Sequence, residues 1–178
     1  MDFCKGLPYW AAMLGGVDHR ISVLFVCLGN ICRSPMAEGA FRAAAHRSGL
    51  DCVVDSAGTA SYHLGDAPDP RAIAIARAHG IEIAGQYARQ IDAKDFFRFN
   101  YIIAMDSANL EGIKARAPRD GTARISMLFD AVPGRGGHSV PDPYHGTADD
   151  FASTWATIDE GVAGLLTQLR AEAASLTR

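Results

Sequence analysis

Lysine is almost missing from this chain. There are three, Lys5, Lys94 and Lys114, among 17 basic residues, and nowhere do basic residues gather into a run. With 20 acidic residues the formal net charge is −3, which argues against nucleic-acid binding as the main task. Cysteine is also sparse. Cys4, Cys27, Cys32 and Cys52 are the only four, and none follows residue 52. No apolar run approaches the roughly 18 residues that a membrane-spanning helix needs. The richest early stretch, Tyr9 to Val17, holds two glycines and is preceded by the single cation Lys5, a poor pattern for a signal peptide. A cytoplasmic protein with free thiols and no membrane association is therefore expected.

The chain has 178 residues, of which 48% are hydrophobic and 21% charged. That is long enough for one domain to bury a core without a disulfide or metal staple. Residues 1–20 show neither helical nor strand periodicity and read as a poorly ordered N-terminal extension, with the folded domain at 21–178. Ile21-Ser-Val-Leu-Phe-Val26 is the nearly continuous apolar run of a buried parallel strand. A short polar loop, Cys27 to Ser34, follows. A helix is expected from Pro35 to about Ser48, with Ser34 as its N-cap and Gly49 as its stop. Further strands are read at 51–56, 101–105 and 123–128. Helices are read from Asp69-Pro70 to Gly80, within 91–99 as a short turn, and over 109–116. The last helix, Phe151 to about Ser175, carries Trp155, Ile158, Val162, Leu165, Leu166 and Leu169 on one face. Strands alternating with helices predict an α/β fold: one four-stranded parallel sheet with helices on both faces. In such sheets a site lies beyond the carboxyl ends of the strands.

Cys27-Leu-Gly-Asn-Ile-Cys-Arg33 places a cysteine and an arginine six positions apart in one of those loops. Four cysteines and fourteen arginines in this length would give about 0.3 such pairs by chance, so the spacing alone says little. Its context says more. The cysteine closes a buried strand, the loop contains Gly29, and Arg-Ser-Pro leads into a helix. Backbone N–H groups at a helix N-terminus form an anion cradle, and an arginine at its end can hold two phosphate oxygens in a fork. A cysteine in that positive field is favoured as thiolate, a nucleophile. The parts together describe a phosphate-binding nucleophile site.

Val23-Leu-Phe-Val-Cys-Leu-Gly-Asn-Ile-Cys-Arg-Ser-Pro-Met-Ala-Glu38 resembles the signature of the low-molecular-weight protein tyrosine phosphatases. The resemblance continues in Asp55-Ser-Ala-Gly-Thr59, Pro68-Asp-Pro-Arg71, Ala88-Arg-Gln90, Tyr101-Ile-Ile-Ala-Met-Asp106 and Asp142-Pro-Tyr144, from about Ile21 to the C-terminus. It implies metal-independent hydrolysis of protein phosphotyrosine through a cysteinyl-phosphate, with no cofactor. Phosphotyrosine-containing proteins would be the partners of a monomer or weakly self-associating enzyme. Carried onto this chain, Cys27 would be the nucleophile, Arg33 the oxyanion clamp and Asp142 the general acid. Leu28, Gly29, Asn30, Ile31, Cys32 and Ser34 would complete the phosphate-binding loop. Ser34 would hydrogen-bond the thiolate, Ser56 would support Asn30, and Asn30 would occupy a strained backbone region. Tyr62, Tyr144 and His145 fall on loops flanking the pocket and read as walls for a substrate ring.

Other residues carry blander readings. Asp69 reads as a helix cap before Pro70, Asp106 as a structural carboxylate at a strand end, and Cys4 and Cys52 as inert thiols. Cys32, so close to Cys27 in sequence, is a candidate for a protective disulfide with it. His138, Asp142, His145, Asp149 and Asp150 fit no ordered metal-ligand template and read as a solvated acidic loop. Tyr62, His145 and Gln86 depart from residue types common in the family, which bears on substrate preference and loop support. An arsenate reductase of similar sequence would need cysteines beyond Cys52. A phosphoarginine phosphatase would typically carry Thr at the position of Ile31. A non-catalytic phosphate-binding protein would not need Cys27, Arg33 and Asp142 together.

Overall fold

The computed structural model describes residues 21–176, so the reading of 1–20 as a poorly ordered extension lies outside the described residues. Four strands form one parallel sheet in the order β2-β1-β3-β4: β1 Ile21–Cys27, β2 Cys52–Gly58, β3 Tyr101–Ala104 and β4 Arg124–Met127. The helices are α1 Arg33–Arg47, α2 Pro70–Ala78, α3 Asp95–Arg98, α4 Ser107–Lys114 and α5 Ala148–Leu176.

Side chains alternate across the pleat, so β1 divides its apolar residues between two cores. Val23, Phe25 and Cys27 join Met36, Phe41, Ala72, Ala76, Phe151, Trp155 and Ile158 under α1, α2 and α5. Leu24 and Val26 join Phe96, Phe99, Ile102 and Ile113 on the face of α3 and α4. β1 is buried from Ser22 onward because it pairs on both edges, with Val23 opposite Val54 on one side and Tyr101 on the other. The chain leaves β1 toward β2 and later returns to β1's other edge with β3. That reversal opens a crevice at the carboxyl end of β1, where residues 27–33 sit.

Several element boundaries differ from the sequence reading. α1 begins at Arg33 and has no side-chain cap. Ser34 therefore lies inside the first turn instead of capping it. Its hydroxyl is buried among Cys27, Asn30 and the Ala57 carbonyl, so it is turned away from the helix N–H groups. β2 runs two residues further, to Gly58, because the Thr59 and Ala60 N–H groups go on to pair with the Cys27 and Leu28 carbonyls. β4 stops at Met127, where Leu128–Ala131 tightens into a 3₁₀ turn. The turn closes on the Asp130 carboxylate, which accepts from Met127 N at 2.8 Å and Gly137 N at 2.9 Å. α4 starts earlier than its apolar pattern, at Ser107, because Asp106 caps it by accepting from Asn109 N. Asp69 caps α2 as read, accepting from Arg71 N, with Pro70 at the first helical position.

Candidate active site

The loop between β1 and α1 turns its carbonyls outward. Cys27 O accepts from Thr59 N, Leu28 O from Ala60 N, Ile31 O from Asp69 N and Cys32 O from Met36 N. In a trans peptide the N–H points opposite the C=O. The N–H edge of this loop, continued by the uncapped start of α1, is thereby left facing inward as an anion cradle. Closing so tight a loop requires Asn30 at φ 58°, the only described non-glycine residue with positive φ. Asn tolerates that region better than most residues. Gly58 allows the close approach: a Cβ there would lie 2.7 Å from Leu28 O and 3.2 Å from Asn30 N.

Asn30 is held from behind by a chain of buried polar groups. Its amide Nδ2 donates to Ser34 Oγ at 3.0 Å and Ser56 Oγ at 2.9 Å, and its Oδ1 accepts from Arg89 N at 2.9 Å. Ser56 in turn donates to Glu38 at 2.6 Å, and Glu38 pairs with Arg42. Burial pushes the Glu38 carboxyl above the usual range, against the hydrogen bond from Ser56 and the Arg42 charge. The Arg89 side chain braces the same region through Asp55 at 2.9 Å and Asp95 at 2.9 Å. Gln86 takes no part in supporting Asn30; its Nε2 lies 3.4 Å from Pro35 O.

Cys27 lies buried at the cradle floor, its Sγ 3.0 Å from Ser34 Oγ and accepting from Asn30 N at 3.3 Å. Arg33 is also buried. Its Nη1 donates to Asp106 at 2.5 Å and to Val140 O at 3.1 Å, and its Nη2 donates to Asp142 at 2.8 Å. Burial works against its charge, but the negative surroundings of Cys27, Asp106 and Asp142 hold its pKa above the ordinary arginine value. Asp106, at the strand end, accepts from Asn109 N as well as from Arg33 and so fixes where Arg33 points.

Asp142 comes from the long loop before α5. Thr154 Oγ1 donates to Pro141 O and Val140 N to Met105 O, which tie the segment to α5 and to the end of β3, and Tyr144 N donates to Asp142 Oδ1 within it. A further brace comes from Arg71, which donates to Tyr144 O at 3.0 Å and Gly146 O at 2.8 Å while its guanidinium stacks 4.4 Å from the Phe151 ring centroid. Arg71 is itself gripped by Asp69, which in turn donates its N–H to Ile31 O of the cradle. The start of α2 therefore ties the cradle to the Asp142 loop.

A cavity of about 200 Å³ opens over Cys27. Of the residues read from the sequence, Leu28, Gly29, Ile31, Cys32, Arg33, Tyr62, Asp142, Tyr144 and His145 line it with Cys27. Asn30, Ser34 and Ser56 stand behind the loop. Tyr144 meets His145 edge-on at 4.9 Å between centroids, and His63 completes the ring-lined mouth 6.3 Å from Tyr144. The sequence reading missed His63, Glu38, Arg71 and Arg89. Only the neighbouring Tyr62 hinted at the first; Glu38, Arg71 and Arg89 fell within the family-like motifs, but nothing local said what they would hold. Cys32 is free and buried, and burial pushes its thiol well above the usual range. Asp149 and Asp150, read as part of the acidic loop, lie instead in the first turn of α5, where Asp150 accepts from Thr147 N; His138 Nδ1 sits on Arg135 O. No group of three or more potential metal ligands is gathered among the described residues.

A family model described as low molecular weight phosphotyrosine protein phosphatase matches residues 22–175. The low molecular weight phosphotyrosine protein phosphatase of Schizosaccharomyces pombe is 43% identical over 143 residues, covering 78% of this chain and 90% of that protein. Among solved structures, that of YfkJ from Bacillus subtilis superposes with a TM-score of 0.80 at 41% identity, covering 88% of this chain and 99% of that one. The Drosophila arginine phosphatase superposes with a TM-score of 0.77 at 33% identity, covering 83% of this chain and 96% of that one.

Proposed function

Because the chain belongs to the low molecular weight phosphotyrosine protein phosphatase family, we infer that it is a phosphatase hydrolysing phosphotyrosine in proteins through a cysteinyl-phosphate. The observation that carries this reading is one cavity holding Cys27, Arg33 and Asp142 together. The Cys27 thiolate attacks phosphorus in line, forming the S–P bond as the P–O bond to the phenolic oxygen breaks. Arg33 and the inward N–H groups stabilise charge on the equatorial oxygens. Asp142 gives its proton to the leaving oxygen, then takes one from the water that attacks the S–P bond. Phosphate is released and the thiolate restored. Ser34 steadies the sulfur in both steps. The cradle supplies the positive potential, and no step calls for a metal or cofactor.

In the free enzyme the Asp142 carboxylate rests on Arg33 Nη2. A phosphate oxygen competes for that same donor. Substrate binding would free the carboxyl to face the leaving group, while Asp106 keeps Arg33 aimed. A nucleophile at the floor of a ring-walled cavity suits a flat aryl phosphate, because a shorter phosphoserine side chain places its phosphorus too high. Ile31 lines the cavity, and its branched apolar side chain favours the same substrate. We read the enzyme as cytoplasmic, acting on phosphotyrosine proteins as a monomer or weakly associating chain. No helix among the described residues is long and apolar enough to cross a membrane. Cys27 also invites peroxide: oxidation to the sulfenic acid, then attack by the Cys32 thiol, would give a disulfide and water. The raised Cys32 pKa makes that trapping slow.

The likeness to an arginine phosphatase keeps phosphoarginine as the second reading. A turnover comparison of phosphotyrosine, phosphoserine and phosphoarginine peptides tests both. Highest kcat/KM on phosphotyrosine is expected, and preference for phosphoarginine would overturn the reading in favour of the second.

A further inference from the structure

A second groove adjoins the catalytic cavity, separated from it only by Leu28 and Tyr62, which line both. Its volume is about 360 Å³. At its far side Arg116 is fixed by two backbone carbonyls, donating from Nη1 to Gly112 O at 2.8 Å and from Nη2 to Thr59 O at 2.9 Å. Gln90 Nε2 donates to the same Thr59 carbonyl at 3.0 Å. A guanidinium carries five donors, so three of Arg116's remain unused. No carboxylate pairs with it among the described residues, whereas Arg33, Arg71 and Arg89 in and around the cradle all have acidic partners. Neutral carbonyls hold its geometry and leave its charge uncompensated.

The groove is tied to the cradle loop through a single residue. Thr59 donates its N–H to Cys27 O and accepts from Arg116 with its carbonyl, so one residue's backbone separates the nucleophile's main chain from the cation. A peptide advances roughly 3.3–3.6 Å per residue. The rim between the two depressions is apolar and open, with Leu28 and Tyr62 both exposed.

We propose that this groove is a substrate subsite that binds an acidic residue within two positions of the phosphotyrosine, its carboxylate meeting Arg116 while the peptide crosses the Leu28–Tyr62 rim. The proposal rests on the phosphotyrosine reading above and adds a sequence preference to it. The expected gain is modest, because an exposed ion pair contributes about 0.2–1 kcal/mol, roughly a 1.4- to fivefold effect on kcat/KM.

The test uses matched phosphotyrosine peptides carrying Glu, Gln or Lys next to the phosphotyrosine, with p-nitrophenyl phosphate as a measure of the cradle itself. The parent should prefer Glu over Gln over Lys, mainly through KM, and the preference should shrink with added salt. Arg116→Gln should erase the Glu preference, Arg116→Lys should retain it, and Arg116→Glu should invert it toward Lys. In each variant the peptide ratio is compared at equal p-nitrophenyl phosphate turnover, so a misfolded protein is recognised by loss of both. A parent indifferent to the flanking charge, or an Arg116→Gln variant that keeps the parent's Glu preference, overturns the subsite. Absence of turnover on every phosphotyrosine peptide while phosphoarginine is hydrolysed overturns the underlying substrate reading instead.

Discussion

Asp106 grips Arg33 with one carboxylate oxygen while the other caps a helix. Oδ2 accepts from Arg33 Nη1 at 2.5 Å and Oδ1 accepts from Asn109 N at 2.7 Å. The cap fixes the carboxylate, and the carboxylate fixes the guanidinium, so the aim of Arg33 is set by the start of α4 on the far side of β3. A charge-assisted pair of this kind resists rotation of the arginine when its other partner, Asp142, is displaced.

Asp106→Asn should keep the fold, since an amide oxygen still caps α4, but loosen Arg33. We expect kcat to fall roughly tenfold or more with a smaller change in phosphate inhibition. Arg33→Lys should be worse, about 100- to 1,000-fold, because a point charge cannot grip two oxygens in a plane. Steady-state kinetics on p-nitrophenyl phosphate measures both, and an unimpaired Asp106→Asn enzyme would show that the aim of Arg33 is set elsewhere.

Cys27→Ser should remove turnover yet leave inorganic phosphate binding measurable, because the N–H cradle and Arg33 remain. Calorimetric titration with phosphate and a rate assay on the same sample check the two halves. Substantial residual hydrolysis would take Cys27 out of the mechanism.

Asp142→Ala should slow phenyl phosphate or phosphotyrosine by roughly 100- to 10,000-fold and p-nitrophenyl phosphate much less, since nitrophenolate departs with little help from an acid. Asp150→Ala is the control, from the first turn of α5 just after that loop. It removes an acceptor for Thr147 N and should lower stability only slightly, without altering leaving-group dependence. A leaving-group series decides between them, and equal slopes for parent and Asp142→Ala would place the acid elsewhere.

Gly58→Ala should disturb the cradle from outside. The new methyl would meet Leu28 O and Ala60 O, both backbone atoms, so the loop itself must move. A destabilisation of about 1–3 kcal/mol is expected, together with weaker phosphate binding. A urea midpoint and a phosphate inhibition constant read the two effects; an unchanged inhibition constant would show that the loop holds its shape without this contact.

Hydrogen bonds from Arg71 hold the Asp69 carboxyl below the usual carboxylate range. Its folded pKa is therefore lower than its unfolded value, and on acidification the unfolded chain takes up the proton first. The stabilisation is present above about pH 3.9 and is lost as pH falls through that value toward the lower folded pKa. Urea midpoints between pH 6 and pH 3 should fall less steeply for Asp69→Asn than for the parent. Parallel curves would mean that the pairing contributes nothing to folding.

How much of this was legible in the sequence varies by residue. Cys27, Arg33 and the loop between them are local: a buried strand, a glycine, a polar turn and a helix start occupy consecutive positions. The order of elements was equally readable, because apolar runs and helical periodicity are properties of neighbours. Ser34 was misread as a cap, since its hydroxyl had two competing uses and only the packing of Asn30 and Ala57 around it decided between them. Glu38, Arg71 and Arg89 stand in family-like motifs but carry no local sign of their roles, because the partners that give them a role, Ser56, Tyr144 and Asp55, lie elsewhere in the chain.

The sequence by itself determined which residues form the cradle loop and the alternating order of strands and helices, because both depend on residues within one or two turns of one another. Only the tertiary structure decided which carboxylates Arg33 meets, how α2 ties the Asp142 loop to the cradle, and which rings close the cavity mouth. Those contacts join segments 73 and 109 residues apart for Arg33 alone. Their geometry is fixed by the sheet order that carries β1 and β3 side by side, and no spacing along the chain encodes it.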